Sequence, residues 1–280
     1  MEVINGIQYN TFLHVFSGIE RRVHIVSYTQ SVNPDLTLLI SKSSEAVNPS
    51  QPYNHIGEGA TMDDIIKSQS GIRFIINAGF SHYRKNFYSW KHQDFNIGDP
   101  VGIIKIRHHF FKDYIKLDHY GFLVQSTKES DWTICDHSQV DMNSKYILGC
   151  TPLLILNSKP LSIPLEEMVP VSSNEINPPS FLGHGLENHP RTAVGVKGNT
   201  LYFINVENNE YNSGGCSLLD LQSLGIFLEL ESLLNLDGGG SAQFQLYTDK
   251  ETILNYVNDV DLKRILGHVL IIFDEKLKSS

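Results

Sequence analysis

The chain is poor in cysteine. Three of its 280 residues are Cys (Cys135, Cys150 and Cys216), and no two of them are spaced as a CxxC pair. A sparse, odd set argues against a disulfide framework and against a cysteine zinc site, which leaves buried free thiols as the expectation. Long apolar runs are missing too: nowhere do the ~18 consecutive apolar residues of a membrane span occur. The opening residues, MEVINGIQYNTFLHVF, lack a basic segment followed by a continuous apolar one, so they do not read as a secretory leader. The expectation is therefore a cytoplasmic, reducing setting with no membrane partner. A basic surplus is also absent. With 31 acidic against 22 basic residues the formal net charge is -9, which disfavours a phosphate-coating surface and a nucleic-acid polymer as partner. No internal repeat or low-complexity tract is visible.

What is there is ordinary globular material. Hydrophobic residues make up 41%, enough for a sizeable core in one large domain or two intimate ones. Residues 1–22 are expected as an N-terminal extension packed on a domain formed by 23–280. Residues 23–40 read as two extended pieces around the Asn33-Pro34-Asp35 turn. Residues 60–68 suit a short helix with Thr61 as N-cap and two acids in the first turn. Strands are predicted over 72–76, 103–106, 120–125, 153–156, 193–196 and 200–206. Residues 217–233 show helical apolar spacing, a short strand over 233–236 follows, and a helix and strand close the chain over 262–273. The aperiodic, Pro- and Gly-rich stretch 169–190 reads as a long loop, and such loops are often functional. Helices and strands mixed without strict alternation predict an α+β protein, with a mixed β-sheet core and flanking helices.

Three strand ends carry chemistry. Asn235-Leu236-Asp237-Gly238-Gly239-Gly240-Ser241 follows the 233–236 strand. Three glycines can aim successive N–H groups into an anion-binding concavity and let a ligand touch main chain. Asp237 would stand beside that cradle, with the Ser241 hydroxyl on its rim; alternatively Asp237 simply caps a glycine-rich turn. His189-Pro190-Arg191-Thr192 brings an arginine and a threonine to the next strand's start. A guanidinium there can bond two phosphate oxygens at once, or pair with one of the many acids. Ile75-Ile76-Asn77-Ala78-Gly79-Phe80 again delivers a polar residue and a glycine at a strand end, for a ligand or for the turn itself. Convergence of the three would make a preformed polar pocket.

NAGF at 77–80, GCTPLL at 149–154, HPRTAVG at 189–195 and NLDGGGS at 235–241, in that order, resemble the phosphodiester glycosidase family over residues 23–273. The resemblance implies an α+β fold around a β-sheet core. It also implies hydrolysis of a sugar-1-phosphodiester at the glycosidic C–O bond. Where relatives often carry an Asp-Gly-Arg-like turn after the 200–206 strand, this chain reads Glu207-Asn208-Asn209, keeping an acid and losing the base. Ser81 stands where many relatives have Phe, and Ala242-Gln243 replaces a common Ser-Thr. Asn255 and Arg264 match a late asparagine and arginine of the family pattern.

On that basis Arg191, Thr192, Asn77, Gly79, Gly238, Gly239, Gly240 and Ser241 are the expected phosphate and substrate contacts. Asp237 is the first choice for the carboxylate a glycosidase needs and Glu207 the second. His189 is a candidate proton donor, or a residue that packs beside the loop and fixes Arg191. A divalent cation bridging Asp237 and phosphate is compatible with this chemistry, although no metal ligands can be named; no other cofactor is expected. His108 and His109 are adjacent and point to opposite faces of a strand, which makes them poor joint ligands. His184 either lines the pocket mouth or stays in solvent. The aromatic group Phe87-Tyr88-Trp90 with His92 either stacks on a ligand or anchors a loop. The expected partner is a small sugar phosphodiester or nucleotide-like ligand. Two rivals remain open: a non-catalytic binder of a phosphorylated sugar or nucleotide, and a P–O phosphodiesterase.

Overall fold

The computed structural model describes residues 2–4, 6–30, 35–40, 60–81, 102–107, 109–112, 120–126, 131–163, 185–208, 214–248, 252–257 and 266–273. Along the chain run β1 (Glu2–Ile4), β2 (Ile7–Phe16), β3 (Ile19–Thr29) and β4 (Asp35–Ile40), then helix α1 (Met62–Ser68) and β5 (Ile72–Asn77). A group of strands follows: β6 (Ile103–Ile106), β7 (His109–Lys112), β8 (Gly121–Gln125), β9 (Trp132–Asp136), β10 (Tyr146–Cys150), β11 (Leu153–Leu156) and β12 (Lys159–Pro160). The last part holds β13 (Arg191–Lys197), β14 (Thr200–Val206), helix α2 (Leu218–Phe227), β15 (Ser232–Asn235), β16 (Gln243–Tyr247), β17 (Thr252–Val257) and β18 (His268–Phe273).

These strands form three sheets: β1-β2-β3-β14-β13-β15-β11-β12, β7-β6-β10-β8-β9 and β17-β16-β5-β18-β4. Every described pairing is antiparallel. The protein is therefore mostly β rather than the α+β mixed sheet expected. Tight turns are one reason. Ser17-Gly18 and Asn157-Ser158 have positive φ at both positions, which closes two-residue hairpins and makes sequence neighbours antiparallel partners. The first hairpin pairs β2 with β3 from Ile7↔Tyr28 to Phe16↔Ile19, so residues 7–16 continue the large sheet.

One core serves all three sheets. Val194 and Phe203 come from the large sheet, Phe74 and Phe244 from the β5 sheet, and Leu123 and Leu148 from the third. Ring centroids of Phe74 and Phe203 lie 5.1 Å apart, an aromatic contact between sheets worth about 1 kcal/mol beyond its buried area. Outer faces are covered by the helices. Leu218, Leu221 and Leu224 of α2 pack on Ile155, Ala193 and Ile204, while Met62 and Ile65 of α1 pack on Ile75, Val269 and Ile271.

Helix α1 begins as expected. The Thr61 hydroxyl accepts from the Asp64 amide at 3.2 Å, with Asp63 and Asp64 in the first turn. Helix α2 is shorter than the 217–233 pattern suggested. It opens at a capping box between Ser217 and Asp220 and ends at Phe227, and Glu229 turns the chain with φ 56. Leu233 and Leu234 then enter β15, facing opposite sides of the sheet: their apolarity reflects a buried strand, not a helical stripe. The closing strand 268–273 is present as β18; the expected helix before it lies outside the described residues. Among the described residues no helix is long and apolar enough to cross a membrane.

Antiparallel pairing brings one set of ends together. Arg191 opens β13 opposite Val206 at the close of β14, and Ala193 lies opposite Asn235 at the close of β15. In the β5 sheet, Asn77 ends β5 opposite Val269 near the start of β18. Backbone bonds from Asp237 to Ala78 (3.0 Å) and from Leu236 to Thr192 (2.8 Å) tie these ends to each other.

Candidate functional site

Asn77 is the bracket of this region. Its Nδ2 donates to the Asp237 carbonyl at 2.6 Å, and its Oδ1 accepts from the Thr192 hydroxyl at 3.1 Å and the Gln243 amide at 3.0 Å. Asn205 Nδ2 donates to the Thr192 oxygen at 3.3 Å. All four side chains are buried, so the network holds β5, β13, β14 and the start of β16 in register. Asn77 and Thr192, expected at the ligand, have polar atoms engaged in this network.

Asp237 is held by its main chain. Its amide donates to Ala78 and its carbonyl accepts from Asn77, while the residue itself is half-buried. The next residue has no room for a side chain, because a Cβ at Gly238 would lie 2.7 Å from the Pro190 carbonyl oxygen. Gly239 adopts φ 57 and donates its amide to that same oxygen at 2.8 Å. One 3₁₀ turn over Gly239–Ser241 follows. The expected nest is thus partly filled: the Gly239 amide is occupied, whereas those of Gly238 and Gly240 bond no backbone carbonyl among the described residues. Ser241 is buried.

Arg191 and Thr192 point to opposite faces of β13, as alternation requires. Thr192 faces the central core; Arg191 faces α2, where its Nε donates to the Cys216 carbonyl and its Nη2 to the Glu187 carbonyl, each at 2.9 Å. The aliphatic part of the Arg191 side chain passes the glycine turn, with Cδ 3.8 Å from the position of a Gly238 Cβ. Burial lowers its pKa to about 10 and raises that of the adjoining Cys216 thiol to about 12. His189 lies at the surface side of the same strand end, its Nε2 2.9 Å from Glu187 Oε2. Arg191 thereby ties Glu187 and Cys216 to the start of β13 and carries a buried positive charge on that side of the glycine turn.

Glu207 follows β14, whose last residue, Val206, pairs with Arg191. Its Oε1 lies 2.5 Å from His24 Nε2, and its Oε2 lies 3.5 Å from Arg22 Nε. His24 is buried, and its Nδ1 is 2.8 Å from the Tyr9 hydroxyl. Tyr256 closes the group: its hydroxyl accepts from the Asn208 amide at 3.1 Å, and burial pushes its pKa up to about 12. Sequence reasoning missed Tyr9, Arg22, His24 and Tyr256. The only signal was a histidine alternating with Arg22 and Val26 along one strand, which says nothing about a partner 183 positions away.

Gly79 serves packing. A Cβ there would meet His268 Nε2 at 2.9 Å and Leu148 Cδ1 at 3.2 Å. His268 is buried with neither ring nitrogen hydrogen-bonded among the described residues, and burial drives its pKa down to about 3. Cys150, also buried, has its thiol pKa pushed up by desolvation. Cys135 is half-buried, and all three cysteines are free thiols. Among the described residues no three His, Cys, Asp or Glu side chains are grouped to hold a metal ion. Asn255 is exposed on β17. Phe87, Tyr88, Trp90, His92, His108, His184, Asn209 and Arg264 lie outside the described residues.

This arrangement of sheets and strand ends has counterparts. The catalytic domain of zebrafish N-acetylglucosamine-1-phosphodiester alpha-N-acetylglucosaminidase, auto-inhibited by its pro-peptide, superposes with TM-score 0.61 at 14% identity, over 96% of this chain and 84% of that one. A hypothetical protein from Synechocystis gives 0.60 at 14% identity over 96% of this chain, which spans 62% of that protein's length. A putative exported protein from Burkholderia pseudomallei gives 0.53 at 12% identity, over 91% of this chain and 74% of that one. No curated protein matches by sequence. Identities this low speak for the fold alone. The family model for phosphodiester glycosidase, however, matches residues 70–273, nearly three quarters of the chain, including Asn77, Arg191, Glu207 and the glycine turn. The chain belongs to the phosphodiester glycosidase family.

Proposed function

We propose that this protein hydrolyses the glycosidic C–O bond of a small sugar-1-phosphodiester or nucleotide-like compound. A water oxygen bonds to the sugar C1, the C1–O bond breaks, and its electron pair leaves on the phosphomonoester. The proton from water passes through a carboxylate to solvent. A phosphate is already a good leaving group, so fixed donors aimed at its charge do most of what a general acid would do elsewhere. The Gly238 and Gly240 amides, with the Arg191 charge on that side of the turn, are those donors. Asp237 is the carboxylate beside them, and Glu207 is the second. The observation that carries this reading is the double main-chain clamp on Asp237, which fixes an acid next to a glycine that cannot accept a side chain.

One observation favours a second reading, binding without turnover. Arg191 already bonds two carbonyls, so it supplies a static charge rather than a fork that follows the leaving group. Incubation with a panel of sugar-1-phosphodiesters and nucleotide sugars in oxygen-18 water separates the cases. Label in the released sugar supports C–O cleavage, and label in the phosphate means P–O cleavage. Tight binding without product means a binder.

A further inference from the structure

A carboxylate that must work beside a bound ligand needs something to hold it aimed. We propose that His24 is a positioning residue for this reaction, fixing Glu207 as an oriented carboxylate; the proposal rests on the phosphodiester reading above. The imidazole is wedged between two oxygens, Tyr9 at 2.8 Å from Nδ1 and Glu207 Oε1 at 2.5 Å from Nε2. A carboxylate accepts, so Nε2 carries the hydrogen; in the neutral ring Nδ1 then accepts, and the Tyr9 hydroxyl donates to it. The partners therefore set the tautomer.

The surroundings hold the ring in that state. Tyr9 stacks on it at 6.0 Å and 10°, and the rings of Phe244 and Tyr256 stand 5.3 and 6.0 Å away. Among the described residues, the titratable and charged groups facing the pair are Tyr9 from β2, Arg22 from β3 and Tyr256 from β17. Burial raises the pKa of both phenols, which keeps them as neutral hydroxyls at physiological pH. Glu207 Oε1 is taken by His24, whereas Oε2 is left to Arg22 at 3.5 Å and to solvent, the side chain being 25% exposed. One oxygen is gripped and the other is reachable. The gripped oxygen fixes the direction in which the reachable one is presented.

The test uses the full chain. In the wild type, nitrogen-15 spectra of His24 are expected to show the Nε2–H tautomer at neutral pH; an Nδ1–H tautomer would overturn the proposal. His24→Phe keeps a ring and removes the donor. It is expected to lower kcat about 10- to 100-fold with KM within about twofold. His24→Gln, which retains an N–H, should restore most of the rate. Independently of turnover, the carbon-13 resonance of the Glu207 carboxyl at neutral pH, assigned with Glu207→Gln, should move in His24→Phe. An unmoved kcat and an unmoved carboxyl resonance in folded His24→Phe would sink the idea. If that variant does not fold, the Nε2 proton decides: it should shift on Glu207→Gln, and an unchanged resonance overturns the pairing. A wild type inert on every phosphodiester would overturn the reaction itself, a failure the carboxyl resonance distinguishes from failure of the pairing.

Discussion

Asp237 and Glu207 are both acids just beyond buried strands of the same sheet, yet they are fixed by different means. Asp237 is held through its own amide and carbonyl, by Ala78 and Asn77, and three glycines follow it. Glu207 is held through its side chain, by His24 and Arg22, which come from a strand far away in sequence. Main-chain fixation constrains the turn and leaves the carboxylate replaceable. Side-chain fixation constrains the carboxylate and leaves the turn variable. The difference teaches that one acid is tested by changing its backbone neighbours, the other by changing its partners.

The sharpest break of this contrast is Asp237→Asn. The clamp uses only main-chain atoms of residue 237, so the variant should lose turnover by about 10³-fold, keep phosphodiester binding, and melt within a few degrees of wild type. Steady-state rates beside a thermal melt check it. A melt lowered as much as the rate would mean that the carboxylate is structural. Next is Asn77→Ala, which orphans the Asp237 carbonyl, the Thr192 hydroxyl and the Gln243 amide together. Urea unfolding should show a loss of about 3 kcal/mol, with activity falling because Asp237 is no longer clamped. Gly238→Ala should cost about 2 kcal/mol and shift the turn, since its Cβ meets the Pro190 backbone at 2.7 Å. Equal stability would show that the turn is looser than described.

The smallest effect concerns His268, a buried histidine at the same end that lacks the pairing His24 has. Its folded pKa, about 3, lies below the ordinary 6.5, so the unfolded chain binds the extra proton. Its contribution to stability is then fully present above pH 6.5 and is lost as pH falls from there toward 3, by about 2 kcal/mol at pH 5. His268→Leu should flatten that part of the stability–pH curve. An unchanged slope would mean that the imidazole finds a partner.

Much of the region was legible along the chain because its cues are local. Thr61 ahead of two acids announces a helix start, and an apolar run ending in Asn-Ala-Gly or Asp-Gly-Gly-Gly announces a strand end where backbone comes close. Those cues depend on dihedral freedom and on groups within a few residues. Other features gave no local cue. The apolar content of 217–233 was divided between a helix and a buried strand, and period alone cannot separate the two. Arg191 looked like a phosphate fork until its face of β13 was known; there the nearest acceptors are the Cys216 and Glu187 carbonyls.

The order of residues decided where the chain may bend without a side chain, which segments are apolar enough to be buried, and that an acid follows each of two strands, because these depend on covalent geometry and transfer from water. Pairing decided the rest. Antiparallel register set Thr192 and Arg191 on opposite faces, laid Asn77 under Asp237, and brought His24 to Glu207. Such contacts exist only once distant strands share a sheet or a core, where a buried polar atom must find whichever partner the packing supplies.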